Sequence, residues 1–147
     1  MDKDFELLPH TADIKIRVYG KTLAAFFRNA LVGMFQAIGP QVKGCSIENE
    51  RIICKNLSQT HMIEIEAPDI DALVVDFLSE ALYLSDVHDE AYLDAEVHKV
   101  SEKNIKATIK GVKVQGFEVV EIKAVTYHEL EVKKVQGMWQ GDIVFDI

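Results

Sequence analysis

The sequence predicts an α+β fold, specifically a two-layer α/β sandwich in which a mostly antiparallel sheet is covered by two amphipathic helices. Two segments have apolar residues at helical spacing, and most of the remaining segments alternate apolar and polar residues. Alternation with a period of two is typical of strands that bury one face, as antiparallel strands usually do. The helices would cover that buried face. A length of 147 residues suits a single domain spanning 1–147.

The two predicted helices have clear boundaries. The first runs from Leu23 to Ile38, with apolar residues at i, i+3, i+4 and i+7 spacing. Thr22 is placed to cap its start, and Gly39 ends it. The second runs from Ile70 to Leu84 with a similar apolar stripe. Asp69 is its expected N-cap, where a carboxylate also favours the positive end of the helix dipole.

The strands are predicted from the segments that alternate. In most of them Ile, Val, Leu or Ala takes one face, and charged or polar residues take the other. In chain order these segments are Ile14–Val18, Ile63–Ile65, Ala91–Val97, Ile105–Ile109, Ile122–Thr126 and Ile143–Phe145.

The net charge of −8 is unevenly distributed along the chain. Residues 14–47 contain five basic and no acidic side chains, whereas residues 56–98 contain many acids and neither Lys nor Arg. A net-acidic chain repels phosphate backbones, so direct binding to nucleic acid is not expected. The acidic stretch suits a basic partner surface or a solvated helix face, and charge alone does not separate the two.

The sequence indicates a soluble protein. No segment approaches the roughly 20 apolar residues that a membrane span needs, and the charged start Met1–Asp4 lacks the apolar core of a signal peptide. We therefore expect a cytoplasmic protein with no membrane partner. Cys45 and Cys54 lack metal-site spacing and suggest no disulfide scaffold, so both are interpreted as ordinary packed or half-exposed residues.

Common catalytic motifs are missing from the sequence. It contains no GxxxxGK[ST] phosphate loop, GxGxxG, GxSxG, HExxH or CxxC pattern. Its five histidines are scattered, and a lone histidine is more often a hydrogen-bonded structural residue than a ligand. Because no paired nucleophile and base is visible, a small metal-dependent hydrolase is disfavoured.

Two segments could nevertheless carry chemistry. Pro9–Asp13 places polar groups at the entry of a strand, although a simple turn would also explain it. At the other end, the Asp146 side chain and the α-carboxylate of Ile147 bring negative charges close together, and these repel unless a cation or base lies between them. Oxygen-only ligands suit a hard cation such as calcium, magnesium or manganese. A strand end with solvated carboxylates is the ordinary alternative.

Five segments, in this order, resemble the archease family, and together they span the whole chain. They are Phe5–Ile14, Gly20–Leu23 leading into a Phe-rich helix, Leu73–Tyr83, Ile122–His128 and Phe145–Ile147. The second helix departs from the family at Asp76–Phe77, where a tryptophan is more usual, but the change is conservative.

The resemblance implies an accessory factor rather than an enzyme. Archeases assist RtcB-type RNA ligases, which join tRNA halves and other RNAs using GTP and manganese. The accessory factor promotes guanylylation of the ligase, supports its turnover and widens its choice of nucleotide. Archeases have also been linked to chaperone-like help for an RNA-modifying methyltransferase, and a chaperone or adaptor role is the alternative function.

The resemblance also implies a divalent metal site, with calcium as the first expectation and manganese or magnesium as alternatives. The positions that match the family's metal ligands are Asp13, Asp146 and Ile147. The residues that could flank the site or contact the partner are His10, Thr11, Lys123 and His128. Ordinary strand-end hydrogen bonding would explain these four equally well. The site requires the strand that follows Asp13 to lie near the C-terminal strand.

Overall fold

The structure, a computed structural model, describes residues 3–8, 13–117 and 121–147. In these residues two helices pack against antiparallel strands, which confirms the predicted α+β fold. The helices are α1 (Leu23–Ile38) and α2 (Ile70–His88). The strands are β1 (Phe5–Leu8), β2 (Ile14–Gly20), β3 (Ser46–Glu48), β4 (Arg51–Ile53), β5 (Gln59–Glu66), β6 (Glu90–Val100), β7 (Asn104–Lys113), β8 (Ala124–Val125), β9 (Lys133–Val135) and β10 (Met138–Asp146). Among the described residues, neither helix has the length and hydropathy needed to cross a membrane.

α1 forms where it is predicted, and both of its ends are capped as expected. Oγ1 of Thr22 accepts a hydrogen bond from the Ala25 N–H at 3.1 Å, and Gly39 ends the helix in the left-handed conformation with φ 63°. Seven consecutive residues, 29–35, are buried. Among them Asn29 donates its side-chain amide to the carbonyl oxygen of Tyr19 at 2.8 Å. Over these seven residues α1 is buried around its whole circumference, beyond the single apolar stripe that its sequence predicts.

α2 begins as predicted but ends later. Oδ1 of Asp69 accepts a hydrogen bond from the Ala72 N–H at 2.9 Å, the expected N-cap. The helix continues four residues past its predicted end, to His88. There Asp89 adopts a left-handed conformation with φ 54° and terminates it. The prediction ended the helix where its regular apolar spacing ends, at Leu84. Main-chain hydrogen bonding continues beyond that residue, until Asp89 leaves the helical conformation.

The strands form two main antiparallel sheets and a separate hairpin rather than one sheet. The first sheet has the order β1-β2-β10-β8, with β9 pairing to β10. The second has the order β5-β7-β6, and β3 pairs with β4 alone. α1 packs against β2 of the first sheet and β6 of the second, while α2 contacts β5 to β8. The hydrophobic core lies between the helices and these two sheets.

The second sheet contains one position where only glycine fits. Gly111 of β7 lies opposite Tyr92 of β6, and a Cβ on Gly111 would lie 1.9 Å from the carbonyl oxygen of Ala91. The register shifts between Tyr92 and Asp94, directly beyond this close approach. The missing side chain allows the two backbones to meet at the start of β6.

The prediction for the cysteines is wrong, because Cys45 and Cys54 form a disulfide across the base of the β3–β4 hairpin. The hairpin turns at Asn49 and Glu50, which both have positive φ angles, 51° and 64°. The hairpin register brings the two Cα atoms to 4.5 Å, within disulfide reach. Neither turn residue is glycine, so the sequence lacks the usual signal for a tight hairpin.

The hairpin is also attached to α1 through the side-chain amide of Gln36. Nε2 of Gln36 donates to the carbonyl oxygen of Ile52 at 2.9 Å, and Oε1 accepts from the N–H of Ile52 at 2.8 Å. The carboxamide thus satisfies both main-chain groups of one strand residue, as a neighbouring strand would.

Candidate functional site

Asp13 and Asp146, from opposite ends of the chain, each lie directly beyond the last pair of two neighbouring strands. β2 and β10 pair antiparallel, and their last described partners are Ile14 and Phe145. Continuing this register by one residue sets Asp13 opposite Asp146. Residues directly opposite each other on antiparallel strands have Cβ atoms about 5 Å apart. The strand that follows Asp13 therefore lies beside the C-terminal strand.

The two aspartates differ in exposure. Ile14 and Phe145 are 8% and 0% exposed and belong to the core. Because side chains alternate along a strand, Asp146 projects away from the core that Phe145 enters, and it is exposed. Asp13 is half-buried, with its Oδ1 shielded from solvent. Ile147 is half-buried and packs against the core, which fixes a terminus that would otherwise fray.

β8 holds Asp146 from the other side. Ala124 pairs with Asp146, and the main-chain N–H of Lys123 donates to the carbonyl oxygen of Asp146 at 2.7 Å. The N–H and hydroxyl of Thr126 both donate to the carbonyl oxygen of Val144, at 3.0 and 2.9 Å. The predicted strand over 122–126 shortens to two residues, but its hydrogen bonds reach β10 at both ends. Lys123 is therefore adjacent to Asp146.

His128 lies farther along the same segment. β8 is antiparallel to β10, so residues after Val125 lie alongside β10 positions that precede Phe145. His128 occupies an exposed turn, where its N–H donates to Oγ1 of Thr126 at 3.3 Å. It is expected to lie farther from the C-terminus than Lys123 does. The predicted flanking residues that fall outside the described part of the chain are His10 and Thr11.

The donors predicted for this site are all oxygen atoms. The carboxylates of Asp13 and Asp146 and the terminal carboxylate of Ile147 are of the type that hard divalent cations prefer. Two facing carboxylates repel each other unless positive charge lies between them. Within 3–8, 13–117 and 121–147, no three His, Cys, Asp or Glu side chains are arranged to hold a metal ion. The predicted site has only two such side chains, with the terminus as third donor, and it stays a prediction.

A pair of opposite charges lies on the same two strands. Arg17 of β2 faces Asp142 of β10, with Nε 2.7 Å from Oδ1 and Nη2 3.0 Å from Oδ2. Lys15 adds a third charge, because its Nζ lies 3.8 Å from Oδ2 of Asp142. The hydrogen bonds from Arg17 hold the pKa of Asp142 below its ordinary value, although partial burial opposes them. Asp142 is thus a structural carboxylate whose negative charge is balanced by Arg17 and Lys15.

Glu90 forms the centre of a second polar cluster, where it is 2% exposed at the start of β6. Its Oε1 accepts from the Tyr92 hydroxyl at 2.8 Å and lies 2.6 Å from Nε2 of His61. Nζ of Lys113 lies 3.4 Å from Oε2. Burial alone would raise the pKa of Glu90, but the hydrogen bonds from Tyr92 and His61 outweigh it and hold the pKa low. The His61 ring also stacks on His88, with centroids 4.6 Å apart.

Sequence reasoning missed both of these clusters. Glu90 and Tyr92 are two residues apart on one strand, so their position on the same face could have been inferred from this spacing. His61 comes from β5, on the far side of β7, and Arg17 and Asp142 come from opposite ends of the chain. No local pattern marks such contacts, because they depend on which strands pair.

Comparison with known proteins gives matches over nearly the whole chain. The model of the Archease protein family (MTH1598/TM1083) matches residues 5–147. Protein archease of Methanosarcina mazei is 39% identical over 153 aligned positions, which cover 99% of this chain and 97% of that protein. Protein archease of Pyrococcus furiosus is 32% identical and covers 99% of both.

Two solved structures share the fold. The solution structure of Methanobacterium thermoautotrophicum protein 1598 superposes with a TM-score of 0.70 at 23% identity, covering 98% of this chain and 99% of that one. The crystal structure of an archease from Thermotoga maritima gives a TM-score of 0.61 at 20% identity, covering 100% and 98%. These similarities extend to the arrangement of elements over the full length.

Proposed function

The chain belongs to the archease family, and from that premise we propose that it is a metal-binding accessory factor of an RtcB-type RNA ligase. It would promote guanylylation of the ligase, support its turnover and broaden its use of nucleotides. The observation that supports the proposal most directly is the pairing of Ile14 with Phe145, which sets Asp13 opposite Asp146. These are the positions at which the sequence resembles the family's metal ligands.

The proposed site would hold a divalent cation, calcium first, with manganese or magnesium as alternatives. Its ligands would be the carboxylates of Asp13 and Asp146 and the terminal carboxylate of Ile147. Hard cations take about six or more oxygen ligands, so this donor set leaves positions for water or for groups of the ligase. A cation there would supply charge neutralisation and alignment, both of which nucleotidyl transfer requires.

The contribution of the chain itself is positional. β10 pairs with β2 on one side and β8 on the other, and Ile147 packs against the core. The Lys123 N–H fixes the carbonyl of Asp146 from the β8 side at 2.7 Å. The donors lie in or directly beside these paired strands, and a site supported by regular elements is better ordered than one on a long loop. The oxygens could therefore be presented to a partner with little rearrangement.

The test is the guanylylation of a cognate ligase by GTP in the presence of manganese. We expect catalytic amounts of this protein to accelerate formation of the guanylylated ligase and to sustain repeated ligation. An unrelated acidic protein at the same concentration serves as the control. Absence of stimulation would overturn the proposal, and turnover of nucleotides or phosphoesters by the protein alone would favour a hydrolase instead.

The alternative is a chaperone or adaptor for an RNA-modifying methyltransferase, and the Thermotoga maritima archease is described as a possible chaperone. The exposed large apolar side chains here are distributed over separate elements, among them Leu7 in β1, Ile47 in β3 and Met62 in β5. A surface that holds unfolded chains would need a contiguous apolar patch. Improved solubility of a methyltransferase that does not depend on Asp13 or Asp146 would support this alternative over the ligase.

A further inference from the structure

A groove of about 900 Å³ opens between α2 and the segment that leads into β8. Leu82, Tyr83 and Asp86 contribute to its lining from the second half of α2. The continuous run 121–125 contributes from the other side, and residues 114–117 and Ile38 of α1 also line it. The groove adjoins the Glu90 cluster through Ser85, whose hydroxyl donates to the Glu90 carbonyl oxygen, and it lies beside the C-terminal strand through β8.

The groove combines apolar lining with acidic edges. Ile122 and Val125 are buried within it, whereas Asp86, Asp89 and Glu121 are exposed. Lys123 is the one basic residue among the described residues that line it. Three acids against one base give a negative potential, which repels phosphate backbones and attracts a basic segment with apolar side chains.

One wall offers main chain as well as side chains. β8 is the outermost strand on its side of the first sheet, among the strands that the structure describes. It pairs with β10 on its inner side. The outer edge of such a strand is a template on which an extended peptide can add as a further strand. On the α2 side, Tyr83 is 60% exposed, and tyrosine is enriched at protein interfaces.

We propose that this groove binds a basic, extended segment of a partner protein. The apolar side chains of that segment would enter the lining, its lysines or arginines would meet Asp86, Asp89 and Glu121, and its main chain would run beside β8. The inference goes beyond the ligase proposal, because it requires no metal and no particular enzyme. The two sites are nevertheless joined, since Lys123 of the groove donates its N–H to the Asp146 carbonyl at 2.7 Å.

The probe is a short fluorescent peptide that alternates lysine and leucine. Three matched probes test its features: one alternates glutamate and leucine, one keeps every lysine and replaces every second leucine by proline, which disrupts strand pairing, and one is a single-stranded RNA of similar length. Fluorescence anisotropy is measured on the full chain at about 0.15 M salt. We expect the basic peptide to bind, the proline peptide to bind more weakly, and the acidic peptide and RNA not to bind.

Charge reversal locates the binding site. Asp86→Lys combined with Glu121→Lys should weaken binding of the basic peptide about tenfold. Glu66→Lys combined with Glu102→Lys changes the net charge equally at exposed positions outside the groove, and it should leave the affinity unchanged. Backbone amide shifts on peptide addition should concentrate at residues 79–86 and 121–125.

Three results would overturn the proposal: equal loss of affinity in both double variants, shifts confined to another surface, or RNA bound in the groove. Circular dichroism establishes that both variants are folded. Guanylylation of the ligase is scored separately on the unmodified protein. Peptide binding without ligase stimulation would refute the ligase proposal alone, and the reverse would refute the groove proposal alone.

Discussion

Arg17 and Asp142 form a bidentate ion pair on β2 and β10, the two strands whose register, continued by one residue, would set Asp13 opposite Asp146. The first pair joins opposite charges and needs nothing further. The second would set two carboxylates side by side, and carboxylate oxygens are donors that hard cations prefer. One strand pair therefore contains a structural ion pair and a candidate cation site, and the two should respond differently to mutation.

Asp142→Asn should lower the free energy of unfolding by about 1–2 kcal/mol, because Arg17 loses a partly buried, charged partner. The pKa of Asp142 is lowered in the fold. Its ionisation therefore stabilises the fold at pH values above the unfolded-state pKa of about 4. This contribution is lost as the pH falls through the lowered folded-state pKa. Urea unfolding over this pH range is the measurement.

The matched control for this substitution is Asp76→Asn, which neutralises an exposed carboxylate on α2. It should change the free energy of unfolding little at any pH. A difference between wild type and Asp142→Asn that persists undiminished in strong acid would show that the ion pair is not its cause.

Tyr92→Phe should cost about 1–2 kcal/mol of stability, because the buried carboxylate of Glu90 loses the hydroxyl that donates to it at 2.8 Å. Burial then opposes ionisation with less compensation, so the pKa of Glu90 should rise. In wild type the pKa of Glu90 is held low, and the associated stability is lost only in acid. In the variant this loss should begin at a higher pH, which unfolding curves at several pH values would detect.

Tyr83→Phe is the corresponding control, since Tyr83 is 60% exposed. It removes a tyrosine hydroxyl that lies at the surface, so it should alter neither the free energy of unfolding nor its dependence on pH. Identical pH profiles for Tyr92→Phe and wild type would contradict the role assigned to the hydrogen bond.

Asp13→Ala and Asp146→Ala should each abolish ligase stimulation and weaken divalent cation binding, while circular dichroism shows a folded protein. Removing either carboxylate relieves repulsion between the two facing groups and should leave the core intact. Asp76→Ala is the matched control on the exposed face of α2 and should retain both properties. Full stimulation by either site variant would rule out the metal site.

A C-terminal extension should weaken cation binding and prevent ligase stimulation without unfolding the chain. The extension converts the α-carboxylate of Ile147 into an amide, whose neutral oxygen is a weaker ligand for a hard cation. Isothermal titration with calcium and manganese, run beside the guanylylation assay, compares the extended protein with an N-terminally tagged one. Equal affinity and equal stimulation would mean that the terminus is only a strand end.

The protein alone should not bind RNA at about physiological salt. Its net charge is −8, and residues 56–98, which include α2, contain neither Lys nor Arg. A gel shift with labelled RNA, with and without the ligase, makes the comparison. We expect a shift only when the ligase is present, and tight binding by the protein alone would refute the charge argument.

The parts of the fold that depend on neighbouring residues could be predicted from the sequence. Thr22 and Asp69 cap the two helices as expected, because a cap bonds to a main-chain N–H only three residues away. The end of α2 was not predicted correctly. Asp89 ends the helix in a left-handed conformation, and aspartate is a weaker sequence signal for such an end than glycine. The division of the strands into two sheets was missed as well, since alternation reveals a buried face but not a partner strand.

The candidate site shows the same limit. The residues alone mark Asp13 and Asp146 as two unrelated candidates, and only the resemblance to a family assigns them to one site. Their approach depends on the β2–β10 register, which links the two ends of the chain. The groove beside β8 was not predicted, because its lining combines α2 and the end of α1 with residues 114–117 and 121–125, which are distant from both helices in sequence.

The hairpin attached to α1 has a consequence for the redox conditions that the protein can tolerate. By loop length, the disulfide between Cys45 and Cys54 contributes roughly 2–3 kcal/mol through chain entropy. Thiol reductants would remove that contribution, but they cannot affect the two hydrogen bonds between Gln36 and Ile52. Reduction should therefore loosen the base of the hairpin at Cys45 and Cys54 while Ile52 stays bonded to the helix. The fold is thus compatible with a thiol-reducing compartment.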